Sequence, residues 1–314
     1  MAKKAKASGS TKVDRKPQIK LALHAAGVVA FATLLFYGFS YARKYADAHG
    51  TTPATPPKVV FVDPPAWMNA QLRERLEKVA TPAVARSSLD GSLVQEVAAT
   101  LSAEPWVKKV KQVRLEYGES AGDTLRVECD FRAPIALVQD DAWFWMVDAD
   151  GVKLPERFMK GELAKVANGE GLLGMTLRVI TGVHEPAPQA GEHWKGDDLA
   201  AGLELAKLFH DKTYLNDIAM IDVGAVDPPG VAEGRRRNEV TLVTKYNTQV
   251  RWGEPMARAA FSVDVPVGQK LMTLERLWKE YGRLDAGRPW IEIRYDSVLY
   301  PTDAATESAT TNAP

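Results

Sequence analysis

The sequence predicts an α+β protein with a single N-terminal transmembrane helix followed by two folded regions. The prediction rests on a long apolar run near the N-terminus, on helical and strand periodicities through the rest of the chain, and on composition. Of the 314 residues, 46% are hydrophobic and 25% are charged, which is enough apolar material for one large domain or two smaller ones. The 40 basic and 40 acidic residues balance, so the whole-chain charge favours no nucleic-acid partner.

The N-terminus combines a basic arm with an apolar segment. Residues 1–20 hold seven basic residues against one acidic residue, Asp14, which predicts a disordered cytoplasmic arm. Residues 21–41 contain His24 but no Asp, Glu, Lys or Arg. A helix of this length would cover roughly the 30 Å of a bilayer core, so we expect it to contact a lipid bilayer through residues 21–41. The basic arm predicts a cytoplasmic N-terminus and C-terminal domains outside the cytoplasm.

Two alternatives remain for the apolar segment. Ala46-Asp47-Ala48 resembles a signal-peptidase site, so a cleaved signal peptide is one of them. A buried soluble helix is the other, although the segment is apolar on every side. The Pro- and Thr-rich residues 42–57 predict a linker, and the small residues of 302–314 predict a disordered tail.

The first folded region, residues 58–133, predicts the order strand, helix, helix, strand, strand. These elements are expected at Val59–Val62, Ala66–Val79, a helix capped by Asp90, Val107–Tyr117 and Asp123–Arg132, with a turn over Gly118–Gly122. That order resembles a POTRA domain, a small docking module of envelope proteins. The only cysteine, Cys129, lies in an alternating strand pattern, which predicts a buried structural thiol.

Three short segments resemble, in order, motifs of the FtsQ/DivIB family. They are Pro105-Trp106-Val107, Arg132-Ala133-Pro134-Ile135-Ala136 and Val147-Asp148-Ala149-Asp150-Gly151, similar to PWV, RxPxA and VDxxG. Each also has a purely structural interpretation. Trp106 would anchor a core, Pro134 suits a strand start or edge, and Asp150-Gly151 is a turn signal.

The resemblance continues through residues 134–301, which it assigns to a mixed α/β "β domain" with a C-terminal edge strand. Leu177 to Gly182 resembles the family's LPxIxG segment, with Arg178 in place of proline. A helix is expected to begin near Lys270-Leu271, and Trp290 to Ser297 resembles the closing DLRYDS strand. The departures are Asp63-Pro64-Pro65 and the Arg235-Arg236-Arg237 insertion, which is either a solvated loop or a contact for anionic envelope polymers or lipid.

The resemblance implies a non-enzymatic scaffold of the bacterial division machinery, in the inner membrane at the division site. Its implied partners are small coiled-coil division proteins of the FtsB/DivIC and FtsL type, which would add a strand to the C-terminal edge. By match to the motif, the partner-binding residues are Tyr295, Ser297 and Val298. The structural alternative is that Tyr295 is only a strand residue with its ring packed. The alternative function is a generic membrane-tethered envelope interaction or sensor module.

No motif for an enzyme is found. His184 and His193, with Glu185 and Glu192, form a loose cluster whose spacing matches no helical metal pair. The sequence contains no GxSxG elbow, P-loop or dinucleotide-binding glycine pattern. We therefore expect no catalytic residue, no metal, no cofactor and no small-molecule substrate.

Overall fold

The structure is a computed structural model that describes residues 16–49, 56–85, 91–116, 124–163, 176–227, 230 and 238–301. Within these ranges, the side chains of residues 16–26, 46–49 and 259–261 are not described. The described chain is α+β with two mixed sheets. Several expectations fall outside these residues: the arm before residue 16, the Asp90 cap, the turn at 118–122, the arginines 235–237 and the tail 302–314.

Helix α1 runs from Lys16 to His49, so it includes the last residues of the expected arm and the first of the expected linker. The prediction of a membrane-spanning helix at residues 21–41 is wrong, because none of the helices in the described part of the chain combines the length and apolarity that a membrane crossing needs. Among the described side chains of α1, the apolar run ends at Phe39. Ser40, Arg43 and Lys44 follow in the same helix and reduce its mean hydropathy.

The smaller sheet is built from residues that follow α1. Its elements in chain order are β1 (Lys58–Phe61), α2 (Ala70–Ala80), α3 (Ser92–Ala103), β2 (Val107–Glu116) and β3 (Thr124–Phe131). The strands lie in the order β1-β3-β2, with β1 parallel and β2 antiparallel to β3. Among the described strands, β1 and β2 are therefore the two edges of this sheet.

Helical periodicity explains how α2 and α3 cover one face of the small sheet. Asn69 caps α2 by accepting a 2.8 Å hydrogen bond from the Leu72 N–H. The buried positions recur every three to four residues, which places them on one side of each helix. They are Leu72, Leu76 and Ala80 in α2, and Leu93, Val97 and Leu101 in α3. Trp106, fully buried, joins the same core.

The larger sheet has eight strands in the order β11-β10-β9-β8-β7-β4-β5-β6. The strands are β4 (Pro134–Asp140), β5 (Trp143–Asp148), β6 (Lys153–Met159), β7 (Arg178–Thr181), β8 (Ile218–Asp222), β9 (Val240–Thr244), β10 (Gln249–Gly253) and β11 (Trp290–Glu292). Pairs β4–β7, β7–β8 and β10–β11 are parallel, and the others are antiparallel. The two edges of this sheet are consequently β6 and β11.

Alternation along the central strands divides them between two cores. Ala136 and Val138 of β4 face helix α4 (Asp197–Phe209), while Leu137 between them belongs to the core of the smaller sheet. Gly202 lets α4 approach closely, because a Cβ there would lie 2.8 Å from a methyl carbon of Ile180. The large sheet therefore carries α4 on one face and the first folded region on the other.

Helix α5 (Val267–Tyr281) packs on the β10–β11 end of the large sheet through Leu274 and Leu277. It ends at Gly282, whose φ of 65° is the left-handed conformation that favours glycine at a helix C-terminus. The chain then returns through residues 283–289 into β11. Helix α5 thus supports the last strand of the sheet from one face.

Candidate docking edge

Among the described strands, β11 has a neighbour on one side only. The Gln249 N–H donates to Pro289 O, and the Ile293 N–H donates to Arg251 O, so alternate residues of this segment face β10. Trp290 and Glu292 lie between them and direct their backbone groups outward. Outside the strand ladder, no backbone hydrogen bond between described residues involves Trp290. This side is an open sheet edge.

The chain itself occupies part of this edge. Leu299 forms two 3.0 Å backbone hydrogen bonds with Glu292, one in each direction, as an isolated antiparallel bridge. Since Leu299 faces Glu292, the backbone groups of Val298 and Tyr300 point to the opposite side. The expected strand over Trp290–Ser297 therefore ends at Glu292, and residues 293–298 form a bend that leads to a new outermost segment.

The three predicted contact residues lie on or beside this bend. Tyr295 is 42% exposed, and the guanidinium of Arg294 lies 5.7 Å from the centroid of its ring. Ser297 is exposed, whereas Val298 is partly buried against the core of the large sheet. Asp296 accepts a 2.9 Å hydrogen bond from the Gln269 side chain, which ties the bend to the start of α5. Tyr295 and Ser297 are thus accessible at the surface, whereas Val298 is partly covered.

A buried ionic network fixes the start of the bend. Lys270 is 2% exposed, and its ammonium donates to Trp252 O at 2.7 Å and to the Asp264 carboxylate at 2.8 Å. Arg294 donates to the other oxygen of Asp264 at 3.0 Å and to Glu239 at 3.1 Å. Its own carbonyl accepts from the Val265 N–H at 2.8 Å. Arg294 is thus held at both its side chain and its backbone, directly before Tyr295.

The protonation of this network follows from its geometry. Burial alone would raise the pKa of Asp264, but hydrogen bonds from Lys270, the Glu254 N–H and Arg294 hold that pKa below its ordinary value of 3.8. Burial opposes the charged form of Arg294 as well, yet its contact with Asp264 raises the pKa of Arg294. Asp264 is therefore ionised near neutral pH and is paired with the cations of Lys270 and Arg294.

Gly253 makes room for the network. Its φ of +99° is unfavourable for other residues, and a Cβ there would lie 2.0 Å from Asp264 Oδ2 and 2.8 Å from Arg294 Cγ. The glycine that the sequence places after Trp252 is therefore a structural requirement of this edge.

A second buried carboxylate holds the turn before β11. Asp285, which is fully buried, accepts from Thr248 Oγ1, from both ends of the Arg283 guanidinium at 2.9 Å and from the Gly287 N–H at 2.8 Å. Burial would raise the pKa of Asp285, but these donors lower it. The entry of the chain into β11 is fixed as firmly as its exit.

The three motif segments that resemble the family meet at the junction of the two folded regions. The Arg132 N–H donates to Trp106 O at 2.9 Å, and its guanidinium donates to Asp148 at 2.7 Å. Asp148 also accepts from the Asp150 and Val152 N–H groups, which closes the turn at Gly151. These contacts of Arg132 and Asp148 join the two folded regions, so the motifs have a structural role at the junction.

The two histidines of the loose cluster, His184 and His193, have different neighbours. His184 Nδ1 lies 2.8 Å from the buried carboxylate of Asp198, while His193 packs against Gly151 and forms a bridge with Val152. No group of three or more His, Cys, Asp or Glu among the described residues could hold a metal ion. Cys129 is half-buried, and burial followed by its acidic neighbours raises the pKa of its thiol to about 11, which is typical of an unreactive structural cysteine.

Sequence reasoning missed the residues that support the edge. Lys270 was expected only as the start of a helix, which in fact begins three residues earlier at Val267. Asp264 and Leu299 were not singled out. A lysine on the apolar stripe of α5, at the spacing of Leu274 and Leu277, is the one signal in the sequence that marks Lys270 as buried.

Comparison of the sequence with protein-family models gives no match, and comparison with curated proteins gives none either. The resemblance to the FtsQ/DivIB family therefore rests on the motifs quoted above and on their order.

Proposed function

We propose that this chain is a non-enzymatic scaffold that docks small coiled-coil division proteins, of the FtsB/DivIC and FtsL type, by strand addition at the C-terminal edge of the large sheet. The observation that carries the proposal is the edge beyond β11, where Leu299 is bridged to Glu292. From this bridge we infer that the backbone groups of Val298 and Tyr300 face away from β11. The division-site location expected from the resemblance stays a prediction.

The physical argument is that an open edge offers unpaired donors and acceptors to an extended peptide. Backbone hydrogen bonds provide the affinity, and contacts of the neighbouring side chains determine which partner binds. Around this edge the exposed residues include Tyr281, Tyr295, Leu299 and Tyr300, each 40–48% exposed. Tyrosine-rich apolar surface is typical of protein–protein interfaces.

The ionic network explains how such an edge can be specific. A docking surface built on a free loop would lose binding free energy when the loop becomes ordered. Here Asp264, Lys270 and Arg294 fix the backbone on one side of the bend, and the Leu299 bridge fixes it on the other. The bend is therefore pre-organised before a partner arrives.

The test is co-purification of the full-length chain with the coiled-coil division proteins of its own cell. We expect Tyr295→Lys and Ser297→Arg to abolish capture while the protein stays folded. Met159→Lys is the matched control, because Met159 is 55% exposed but lies on β6, at the opposite edge of the same sheet.

A second pair of variants separates backbone pairing from side-chain contact. Tyr300→Pro removes an outward N–H that the fold does not use, whereas Tyr300→Ala keeps the N–H and removes only the ring. Strand addition predicts that the proline variant loses capture more completely than the alanine variant. Capture that survives Tyr295→Lys, Ser297→Arg and Tyr300→Pro would contradict the proposal and favour a generic envelope interaction module.

A further inference from the structure

One face of the β5–β6 pair in the large sheet carries aromatic and cationic side chains. Opposite residues of an antiparallel pair point to the same side, and Trp143 lies opposite Met159. Trp145 lies opposite Arg157 in the same way. Phe144, between the two tryptophans, points to the other side and belongs to the core shared with the small sheet. The two tryptophans, the arginine and the methionine therefore share the face on which α4 packs.

These four side chains remain accessible at the surface. Helix α4 packs mainly on the neighbouring strands β4, β7 and β8. Trp143 and Trp145 are partly exposed, Arg157 is exposed, and Met159 is 55% exposed. Tryptophan, methionine and arginine are the residue types that are enriched at protein–protein interfaces. Their grouping on one sheet face marks this surface as a candidate interface.

The guanidinium of Arg157 is positioned by the two indole rings. Its central carbon lies 3.9 Å from the centroid of the Trp143 ring and 5.4 Å from that of Trp145. No described residue forms a hydrogen bond or an ion pair with Arg157. Its neighbour in the chain, Glu156, points to the other face and is paired with Arg75 at 2.6 Å. Stacking restricts the guanidinium while its N–H donors stay available.

A second cation on this face shows what a purely structural contact looks like. The Lys153 ammonium lies 3.7 Å from the centroid of the Trp145 ring and donates to Pro188 O at 2.6 Å. Lys153 is buried and serves to hold the loop beside β6. Arg157 stacks in a similar way, but it is exposed and has no acceptor among the described residues. Its donors are therefore positioned without being used by the fold.

We propose that the face formed by Trp143, Arg157 and Met159 binds a segment of another polypeptide in which a carboxylate lies beside a large apolar side chain. The carboxylate accepts two hydrogen bonds from Arg157, and the apolar side chain packs on Trp143 and Met159. A dense polyanion fits less well, because Asp140 lies opposite Trp143 on the same face and would repel it. This surface and the β11 edge lie at opposite ends of the large sheet.

The experiment measures the binding of short fluorescein-labelled peptides to the full-length protein by fluorescence anisotropy. The acidic peptide consists of leucine and glutamate, the basic peptide of leucine and lysine, and the polar peptide of serine and glutamate. We expect saturable binding of the acidic peptide, with a shift of the Trp143 indole N–H resonance that Trp143→Phe identifies. Arg157→Glu should bind the acidic peptide at least roughly tenfold more weakly and should bind the basic peptide instead.

Matched variants separate this surface from general attraction. Arg276→Glu makes the same charge change at an exposed position of α5 and should leave the affinity for the acidic peptide unchanged. Met159→Ser should weaken binding, whereas Met272→Ser, at a residue that is 65% exposed, should not. Arg157→Lys keeps the charge but loses the two parallel hydrogen bonds, so its affinity should fall between those of wild type and Arg157→Glu.

Several results would overturn the proposal. They are the absence of saturable binding, an equal loss in Arg276→Glu, and equal binding of the polar peptide. Self-association of the free protein that Arg157→Glu abolishes would assign the face to a second copy of the chain, and it too would overturn the proposal. Arg157→Glu should keep the capture of partners at the β11 edge, so the two docking surfaces are tested independently.

Discussion

The two edges of the large sheet are built in opposite ways. On β6, the backbone of Lys153 bonds to Gly191 and Glu192 at 2.8 and 3.0 Å, and Pro155 offers no N–H. On β11, only Glu292 is covered, by a single residue of the chain's own C-terminal segment. A loop covers the start of β6 at Lys153, whereas a buried ionic network fixes the bend that follows β11.

Removing the centre of the network should have the largest effect. Asp264→Asn leaves Lys270, 2% exposed, with Trp252 O but without its charged partner. We expect a loss of about 3–5 kcal/mol in the free energy of unfolding, measured by denaturant titration at pH 7. A loss below about 1 kcal/mol would mean that the β11 edge does not depend on this network.

Gly253→Ala tests the same edge sterically. The new Cβ would overlap Asp264 and adopt an unfavourable φ, so we expect a loss of roughly 3 kcal/mol. Gly268→Ala is the matched control, because a Cβ at Gly268 in α5 meets nothing within 4 Å. Equal thermal stability of the two variants would refute the close approach of Asp264 to Gly253.

Lowering the pH should reduce the difference in unfolding free energy between wild type and Asp264→Asn. The pKa of Asp264 is below 3.8 in the folded protein, so the unfolded chain takes up a proton first as the pH falls. The stability that Asp264 contributes is complete above pH 3.8 and is lost as the pH falls through the lower folded-state pKa. Denaturant titrations of both proteins between pH 7 and pH 2 measure the difference in unfolding free energy. A difference that does not change with pH would contradict the lowered pKa of Asp264 in the folded protein.

Lys153→Met should loosen the closed edge with a moderate effect. The Lys153 ammonium donates to Pro188 O at 2.6 Å and lies 3.7 Å from the centroid of the Trp145 ring. We expect a loss of about 1–2 kcal/mol in the free energy of unfolding and faster hydrogen exchange of the Gly191 amide. Lys279→Met, at an exposed position of α5, is the control. Unchanged exchange at Gly191 would show that the loop is held by its backbone bonds alone.

Leu299→Pro should have the smallest effect on stability and a local effect on dynamics. It removes one 3.0 Å hydrogen bond to Glu292, and the Leu299 side chain is 42% exposed. We expect a loss of under about 1 kcal/mol together with faster hydrogen exchange of the Glu292 amide. If the loss approached that of Asp264→Asn, the terminal segment would belong to the core rather than to an adjustable edge.

The elements of the fold follow from local patterns where periodicity is strong. The stripe of Leu93, Val97 and Leu101 predicts the buried face of α3, and Trp106 is the core anchor that its place between helix and strand predicts. The helix expected to begin near Lys270-Leu271 is observed as Val267–Tyr281. The prediction of a membrane-spanning helix is wrong, because no helix among the described residues is both long enough and apolar enough to cross a bilayer.

Local patterns in the sequence predict most helices and strands of the described residues, because side-chain periodicity and turn residues act over a few neighbouring positions. The contacts among Asp264, Lys270 and Arg294 depend instead on tertiary packing, as do the end of the last strand at Glu292 and the return of Leu299 to it. These contacts join residues far apart in the chain, and each depends on how sheets and helices pack. Burial makes the ionic contacts important for stability, because a charge that is removed from water without an ionic partner destabilises the folded state.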